Sequence, residues 1–283
     1  MRILSIQSSV SYGHVGNSAA VFPLQRQGHE VMPVYTVMYS NHTGYGAWEG
    51  PMMTGDDVRG VVKGINDRGG LDDCALVLSG YQGGSSIGDA ILDAVRLTKE
   101  ANPAALYACD PVLGSADKGC FVSPEVQELI RDRVVPYADI ITPNQFELGF
   151  LTGTDPHTLE ETLESVDAAR ASGPNTVLVT SVLRPDRPEN TIEMMVVNGD
   201  GAWIVQTPLL PFKANGSGDV TAALFSAAYV ESGNPALALE KTAASVFELL
   251  ENTLSSGKRE LQLIESQEAY VAPTHAFEVK RIR

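Results

Sequence analysis

Lys213-Ala214-Asn215-Gly216-Ser217-Gly218-Asp219-Val220-Thr221 is the stretch that organises the chain. Two glycines flank a serine, and an aspartate follows at once. The small-residue run Thr221-Ala222-Ala223-Leu224-Phe225-Ser226-Ala227-Ala228 then predicts a helix. Glycines just before a helix let several backbone N–H groups turn toward one point. The helix start adds unpaired donors and its positive dipole end. An anion fits such a loop, yet Asp219 puts a carboxylate where a phosphate would sit. Two readings are open on these residues alone. An aspartate in a first helical turn is a common cap or dipole partner. It is also the group that takes a proton from a hydroxyl while neighbouring amides hold a moving phosphoryl group.

Outward from this loop, apolar runs alternate with helical patterns. Segments 2–7, 31–37, 74–79, 105–110, 139–142 and 176–180 are short and β-branched or continuously apolar, the mark of strands buried on both faces. Helical patterns lie between them near 16–27, 56–68, 87–101, 123–134, 145–151 and 158–171. This alternation predicts an α/β fold, a mostly parallel sheet with helices on both sides. Segments 193–197 and 202–205, joined by Asn198-Gly199-Asp200-Gly201, predict a hairpin and hence an antiparallel edge. Past the glycine loop and its helix, Leu239, Ala243, Val246, Leu250 and Leu254 form one apolar helical stripe. The tail from 259 predicts a short helix and an extended end. No linker interrupts the pattern, so 1–283 reads as one domain. The Pro- and charge-rich stretch Leu183–Asn190 is only a loop.

With 283 residues, 43% hydrophobic and 19% charged, the chain has the composition of a folded globular protein. No apolar run approaches the ~20 residues of a membrane span, and the first residues read as a strand rather than a signal peptide. Cys74, Cys109 and Cys120 are odd in number and lack C-x-x-C spacing, which points to free thiols in a reducing, cytoplasmic setting. A net charge of −15 argues against nucleic acid or an anionic membrane as partner. It also demands local neutralisation of any bound phosphate.

In an open parallel sheet, chemistry gathers outside the carboxyl ends of the strands. Gln7-Ser8-Ser9, Ser40–Gly46, Ser79-Gly80-Tyr81, Asp110-Pro111-Val112 and Thr142–Glu147 are all expected there, each following or ending a strand.

These residues carry a resemblance. Gln7-Ser8 with Tyr12–Ala20, Ser40-Asn41-His42-Thr43-Gly44-Tyr45-Gly46, Leu78–Tyr81, Cys109–Gly114, Lys118-Gly119, Thr142–Leu148 and Gly216–Asp219 recur in order and spacing over positions 3 to about 270. On them the chain resembles the pyridoxal kinases of the ribokinase superfamily. Asp-Pro-Val, Pro-Asn-x-x-Glu and Gly-x-Gly-Asp are superfamily marks; Y-G-H-x-G-N and S-N-H-T are narrower. The resemblance implies a ribokinase-like three-layer α/β/α fold without a large lid insertion. It implies transfer of the γ-phosphate of ATP to the 5′-hydroxyl of pyridoxal, with pyridoxine and pyridoxamine as further acceptors.

It also implies roles. Asp219 is the expected base, with Gly216, Ser217 and Gly218 holding the transferring group. Asp110 and Glu147 are expected on the ATP and Mg²⁺ side, binding the metal directly or through water. Taken alone, Asp110 reads equally as a strand-end turn acid and Glu147 as a first-turn helix acid. Thr142, Thr180 and the run Thr207, Pro208, Leu209 and Leu210 correspond to ATP contacts. Ser8 is expected on the pyridine ring, Thr43 and Gly44 in the substrate loop, and His42 and Tyr81 as walls of the ring. His14 is a candidate support for the first loop. Cys120 is a candidate to add reversibly to the aldehyde, against the plainer reading of a small buried filler. A homodimer and a helping monovalent cation belong to the same expectation. There is one departure: family members often carry a lysine where this chain has Thr180. Lys213, Lys118 and Arg184 are the candidates to replace that charge.

Three other readings compete. A hydroxymethylpyrimidine or sugar kinase shares the fold, but the short interval between the first two strands leaves no room for a sugar-kinase lid. A vitamin B6 carrier without turnover would explain Thr180 but not an intact Asp219. A dinucleotide loop at Gly13–Asn17 fails the G-x-G-x-x-G spacing.

Overall fold

The computed structural model describes residues 1–283. Nine strands form one sheet in the order β11-β10-β9-β8-β7-β4-β3-β1-β2. They are β1 (Arg2–Tyr12), β2 (Glu30–Asn41), β3 (Cys74–Ser79), β4 (Leu106–Cys109), β7 (Ile140–Ile141), β8 (Thr176–Val182), β9 (Thr191–Asn198), β10 (Gly201–Pro208) and β11 (Val279–Arg281). The six strands from β2 to β8 pair in parallel. β9, β10 and β11 pair antiparallel at the edge. A small hairpin, β5 (Gly114–Ser115) with β6 (Gly119–Cys120), stands apart from the sheet.

Helices cover both faces because alternate strand residues point opposite ways. Leu4 and Ile6 enter a core shared with α2 (Gly55–Asn66), α3 (Ser85–Ala101), α4 (Pro124–Leu129), α5 (Gln145–Thr152) and α6 (Leu159–Ala171). Ile3, Leu76 and Leu78 face the other way, against α1 (Asn17–Arg26), α7 (Ser217–Ser232) and α8 (Pro235–Ser256).

The expected layers are present, and the departures are local. β1 and β2 run on together as far as Tyr12 opposite Asn41, while β3 accompanies β1 only to Ile6 opposite Ser79. A two-stranded ribbon therefore overhangs the rim, and Gln7-Ser8-Ser9 and Ser40-Asn41 lie within strands rather than after them. The helix expected over 123–134 stops at Leu129 and continues as a π turn, Ile130–Val134, then a 3-10 turn, Val135–Tyr137. Pro136 has no N–H to give, so the α ladder cannot continue through it. The expected tail helix is a 3-10 turn, Gln267–Tyr270, and the extended end becomes β11. No helix is long and apolar enough to cross a membrane.

Candidate active site

All the parallel strands point their carboxyl ends at one rim. β10 also ends there, because two antiparallel steps, β8 to β9 to β10, restore the original direction. At this rim Asp110 follows β4, Thr142 follows β7, Thr180 is near the end of β8, and Thr207 and Pro208 close β10. β9 separates the last pair from β8. Leu209 and Leu210 follow, and the Leu209 N–H is fixed to Asn190 O at 2.8 Å.

The glycine loop feeds α7. Gly216 holds φ +88°, and a Cβ there would lie 1.8 Å from His14 O, so the loop packs directly on the His14 backbone. Only glycine meets both demands. At Gly218 a Cβ would meet no atom within 4 Å; that position faces open space. The Ser217 hydroxyl donates back to Ala214 O at 3.0 Å, which leaves the backbone N–H groups as the loop's outward donors.

Asp219 sits in the first turn of α7 and keeps a partly open surface. Burial pushes its carboxyl up to about 6, against weaker opposition from the Gly16 N–H and its own N–H. Asp110 is buried and pushed well above the ordinary carboxylate range by desolvation, then by Glu147 and Asp219. Thr142 weakly opposes that shift, yet its buried hydroxyl has no hydrogen-bond partner at full contact distance. No lysine or arginine acts on Asp110 or Asp219.

Glu147 is held differently. It forms a capping box with Asn144, whose N–H it accepts at 2.9 Å. Its other oxygen accepts the N–H groups of Leu113 at 2.8 Å and Gly114 at 3.2 Å. These bonds clamp the turn at Val112, a β-branched residue at φ +36°, a costly conformation that the surroundings must hold. Burial still raises Glu147 to about 6. Glu147 is thus a helix-start acid whose charge also acts on Asp110.

At the β1–β2 end of the rim, Ser8 is buried at a bulge where the β1–β2 register slips between Gln7 and Ser9. His42 accepts the Gly44 N–H through Nδ1 at 3.0 Å, which leaves Nε2 to carry the proton. Burial, then Lys118, lowers its pKa, so the ring is neutral near pH 7. Thr43 and Gly44 form the exposed 3-10 turn Thr43–Tyr45 that follows. Tyr81 is half-buried after β3, its phenol raised by desolvation, and its carbonyl takes the Thr36 hydroxyl at 2.7 Å. Cys120 is a free, half-buried thiol on β6; burial and Glu147 push its pKa up, which keeps it protonated.

The three candidate replacement cations differ sharply. Arg184 is committed to Glu193, at 2.7 and 3.0 Å, and to Asp186 at 2.7 Å. Lys118 stands near His42. Lys213 is exposed at the mouth, 3.1 Å from Asp117 of the small hairpin. Thr180 takes part in a bulge: β8 slips register against β9 between Val179 and Val182, and Ser181 is at φ +55°.

No three His, Cys, Asp or Glu side chains converge closely enough to cage a metal ion. A hard divalent ion arriving with a nucleotide needs less: one or two carboxylates, its own waters and the phosphates. Two mutually repelling acids with no cation beside them, an orphaned hydroxyl at Thr142, and open space before Gly218 fit that requirement.

Comparison with known proteins bears on this geometry. The family model described as phosphomethylpyrimidine kinase matches residues 85–263. The pyridoxal kinase PdxY of Leifsonia xyli subsp. xyli is 66% identical over 282 residues, spanning 100% of both chains. The chain belongs to the pyridoxal kinase family. The pyridoxal kinase PdxY of Corynebacterium diphtheriae is 60% identical, again over 100% of both. Among solved structures, Leishmania donovani pyridoxal kinase with ADP and ginkgotoxin superimposes with TM-score 0.93 at 29% identity, covering 100% of this chain and 99% of that one. The same enzyme with ADP and pyridoxamine gives 0.92. The sheet, its antiparallel edge and its two helical layers are thus the ribokinase-like fold of the pyridoxal kinases.

Sequence reasoning missed two groups beside this site: Arg259 and Glu260, which reach the Thr43–Tyr45 turn, and Asp117, the partner of Lys213. Glu260 meets Tyr45 and His14 across 215 and 246 positions of chain. No local pattern carries a contact over that separation.

Proposed function

We propose that this member of the pyridoxal kinase family transfers the γ-phosphate of ATP to the 5′-hydroxyl of pyridoxal, giving pyridoxal 5′-phosphate in vitamin B6 salvage. The observation that carries the reading is Asp219, a carboxylate in the first turn of a helix, next to an open glycine, with its pKa raised to about 6. A base of that strength is ionised at neutral pH and still accepts a proton readily. Asp219 takes the hydroxyl proton as the alcohol attacks. The N–H groups of Gly216, Ser217 and Gly218 and the α7 dipole hold the charge on the transferring group.

Ser8, His42, Thr43, Gly44 and Tyr81 hold the pyridine ring, with His42 offering its Nε2 proton to an acceptor on it. Cys120 is the thiol that would add reversibly to the aldehyde, and its raised pKa would make that addition slow. Asp110 and Glu147, with Thr142, would hold Mg²⁺, directly or through water, and that ion would offset phosphate charge as ATP reacts. Thr180, Thr207, Pro208, Leu209 and Leu210 line the nucleotide side. Lys213, exposed and paired with Asp117, is the remaining candidate cation and takes the part of the missing lysine. The 283 residues act as one cytoplasmic kinase domain that pairs as a homodimer, and a monovalent cation assists.

A hydroxymethylpyrimidine kinase is the second reading, favoured by the family model over residues 85–263. Assay of pyridoxal, pyridoxine, pyridoxamine and hydroxymethylpyrimidine with Mg²⁺ and ATP separates them. The proposal expects pyridoxal to have the highest kcat/KM. Preference for hydroxymethylpyrimidine would overturn it.

A further inference from the structure

The end of α8 reaches back across the site. After Ser256 the chain turns at Gly257 and delivers Arg259 and Glu260 to the Thr43–Tyr45 turn. Glu260 Oε1 accepts the Tyr45 hydroxyl at 2.5 Å. Its Oε2 accepts the His14 N–H at 3.2 Å. Arg259 lies over the Tyr45 ring, its guanidinium carbon 3.8 Å from the centroid, and reaches toward Gly44 O at 3.4 Å. Tyr12, at the tip of the ribbon, meets the same ring edge-on at 6.1 Å. A Cβ on Gly13 would lie 2.3 Å from Glu260 Oε2, so that loop has been left bare for the carboxylate.

These contacts join parts that belong to different halves of the reaction. The Thr43–Tyr45 turn carries the acceptor-side residues. The Gly13-His14 loop carries the carbonyl on which Gly216 rests. A single carboxylate therefore fixes the acceptor turn to the backbone that seats the phosphate loop. It does so with a charge-assisted bond to a phenol, stronger than a neutral one. Phosphoryl transfer depends on holding acceptor oxygen and phosphorus in line, and misplacement of about 1 Å costs rate steeply.

We infer that Glu260, acting through Tyr45 and His14, is a positioning residue that sets the acceptor turn against the phosphate loop. This rests on the kinase reading above. Glu260 touches neither the phosphoryl group nor the base. Its effect is on where the acceptor is held. It also reaches His42 electrostatically, opposing the lowering by Lys118 and Arg259.

The test compares wild type, Glu260→Gln, Tyr45→Phe and the double variant, all as full chains. KM for pyridoxal should rise by about 10-fold in each single variant, the scale of one charged hydrogen bond. KM for ATP should stay within about 2-fold. The double variant should be no worse than either single, because both remove one contact. Tyr45→Phe keeps ring and packing, so it serves if Glu260→Gln folds poorly. Hydrogen exchange gives a readout independent of turnover: the Gly44, Tyr45 and Gly46 amides should exchange about 10-fold faster in both variants, with Tm unchanged. Unaltered exchange would overturn the inference, as would effects that multiply in the double variant or an equal rise in both KM values. Loss of pyridoxal turnover in wild type, with faster exchange in the variants, would instead remove the kinase reading and leave the clasp standing.

Discussion

Two buried acidic groups of this molecule have opposite neighbourhoods. Glu193, fully buried on β9, is gripped by Arg184 through two hydrogen bonds, and Gln206 Nε2 donates a third at 2.5 Å. Its charge is answered within the chain. Asp110 and Asp219, at the rim, have each other, Glu147 and no cation. Burying an unanswered charge is costly, and a chain keeps such an arrangement where something else completes it. The first group is architecture that pins the hairpin edge. The second is an acidic cluster that no cation of the chain answers.

That contrast predicts opposite responses to mutation. Arg184→Met strands Glu193 and should destabilise the fold by about 3–5 kcal/mol, the cost of breaking a buried pair from one side. Urea titration measures it, and a loss under 1 kcal/mol would erase the distinction. Asp110→Asn should do the reverse. It removes a carboxyl penalised first by burial and then by repulsion from Glu147 and Asp219, and should raise the Tm of the ligand-free protein at pH 7.5 by about 2–4 °C, roughly 1 kcal/mol in a chain of this size, while crippling transfer.

The pH dependence follows the same logic. Asp219 and Glu147 titrate at about 6 when folded, above their ordinary values of 3.8 and 4.5. The folded chain therefore binds more protons than the unfolded one between about pH 4 and 6. Their contribution to stability falls as pH rises through that window. The Tm gain from Asp110→Asn should accordingly shrink from pH 7.5 to pH 4.5. A gain that grows toward acid would contradict the assignment. The smallest effect belongs to the mouth: Lys213 is 83% exposed, so Lys213→Ala should leave stability within about 0.5 kcal/mol. Its KM for ATP should rise only a few-fold, and no rise at all would end its candidacy as the replacement cation.

Much of this was legible in the sequence because it is local. Alternating apolar runs fix the parallel sheet, and Asn198-Gly199-Asp200-Gly201 marks the antiparallel turn. Gly216–Asp219 announces a glycine loop at a helix start. What escaped was whatever depends on length or distance. β1 and β2 outrun their apolar cores because the last residues pair with each other rather than pack, so apolar content gave no sign of the overhanging ribbon. The helix expected over 123–134 keeps its apolar spacing while its ladder changes to a π turn at Ile130, a switch that spacing does not reveal. Asp110 and Glu147 could be nominated but not told apart. Only the bonds from Leu113, Gly114 and Asn144 identify Glu147 as the clamp of a strained turn and leave Asp110 as the bare acid. Arg184, offered by sequence as a phosphate cation, proved to be spoken for by Glu193.

The most direct measurement is steady-state phosphorylation of pyridoxal by wild type and Asp219→Asn across pH 5 to 8, with pyridoxal binding followed separately. The kinase account predicts that kcat falls by ~10² or more in the variant, the usual scale for loss of a general base, while binding persists. It predicts that wild-type kcat/KM declines below about pH 6, tenfold per unit, as Asp219 takes up its proton. A variant within a few-fold of wild type would contradict it, as would a wild type that binds pyridoxal tightly and never turns it over.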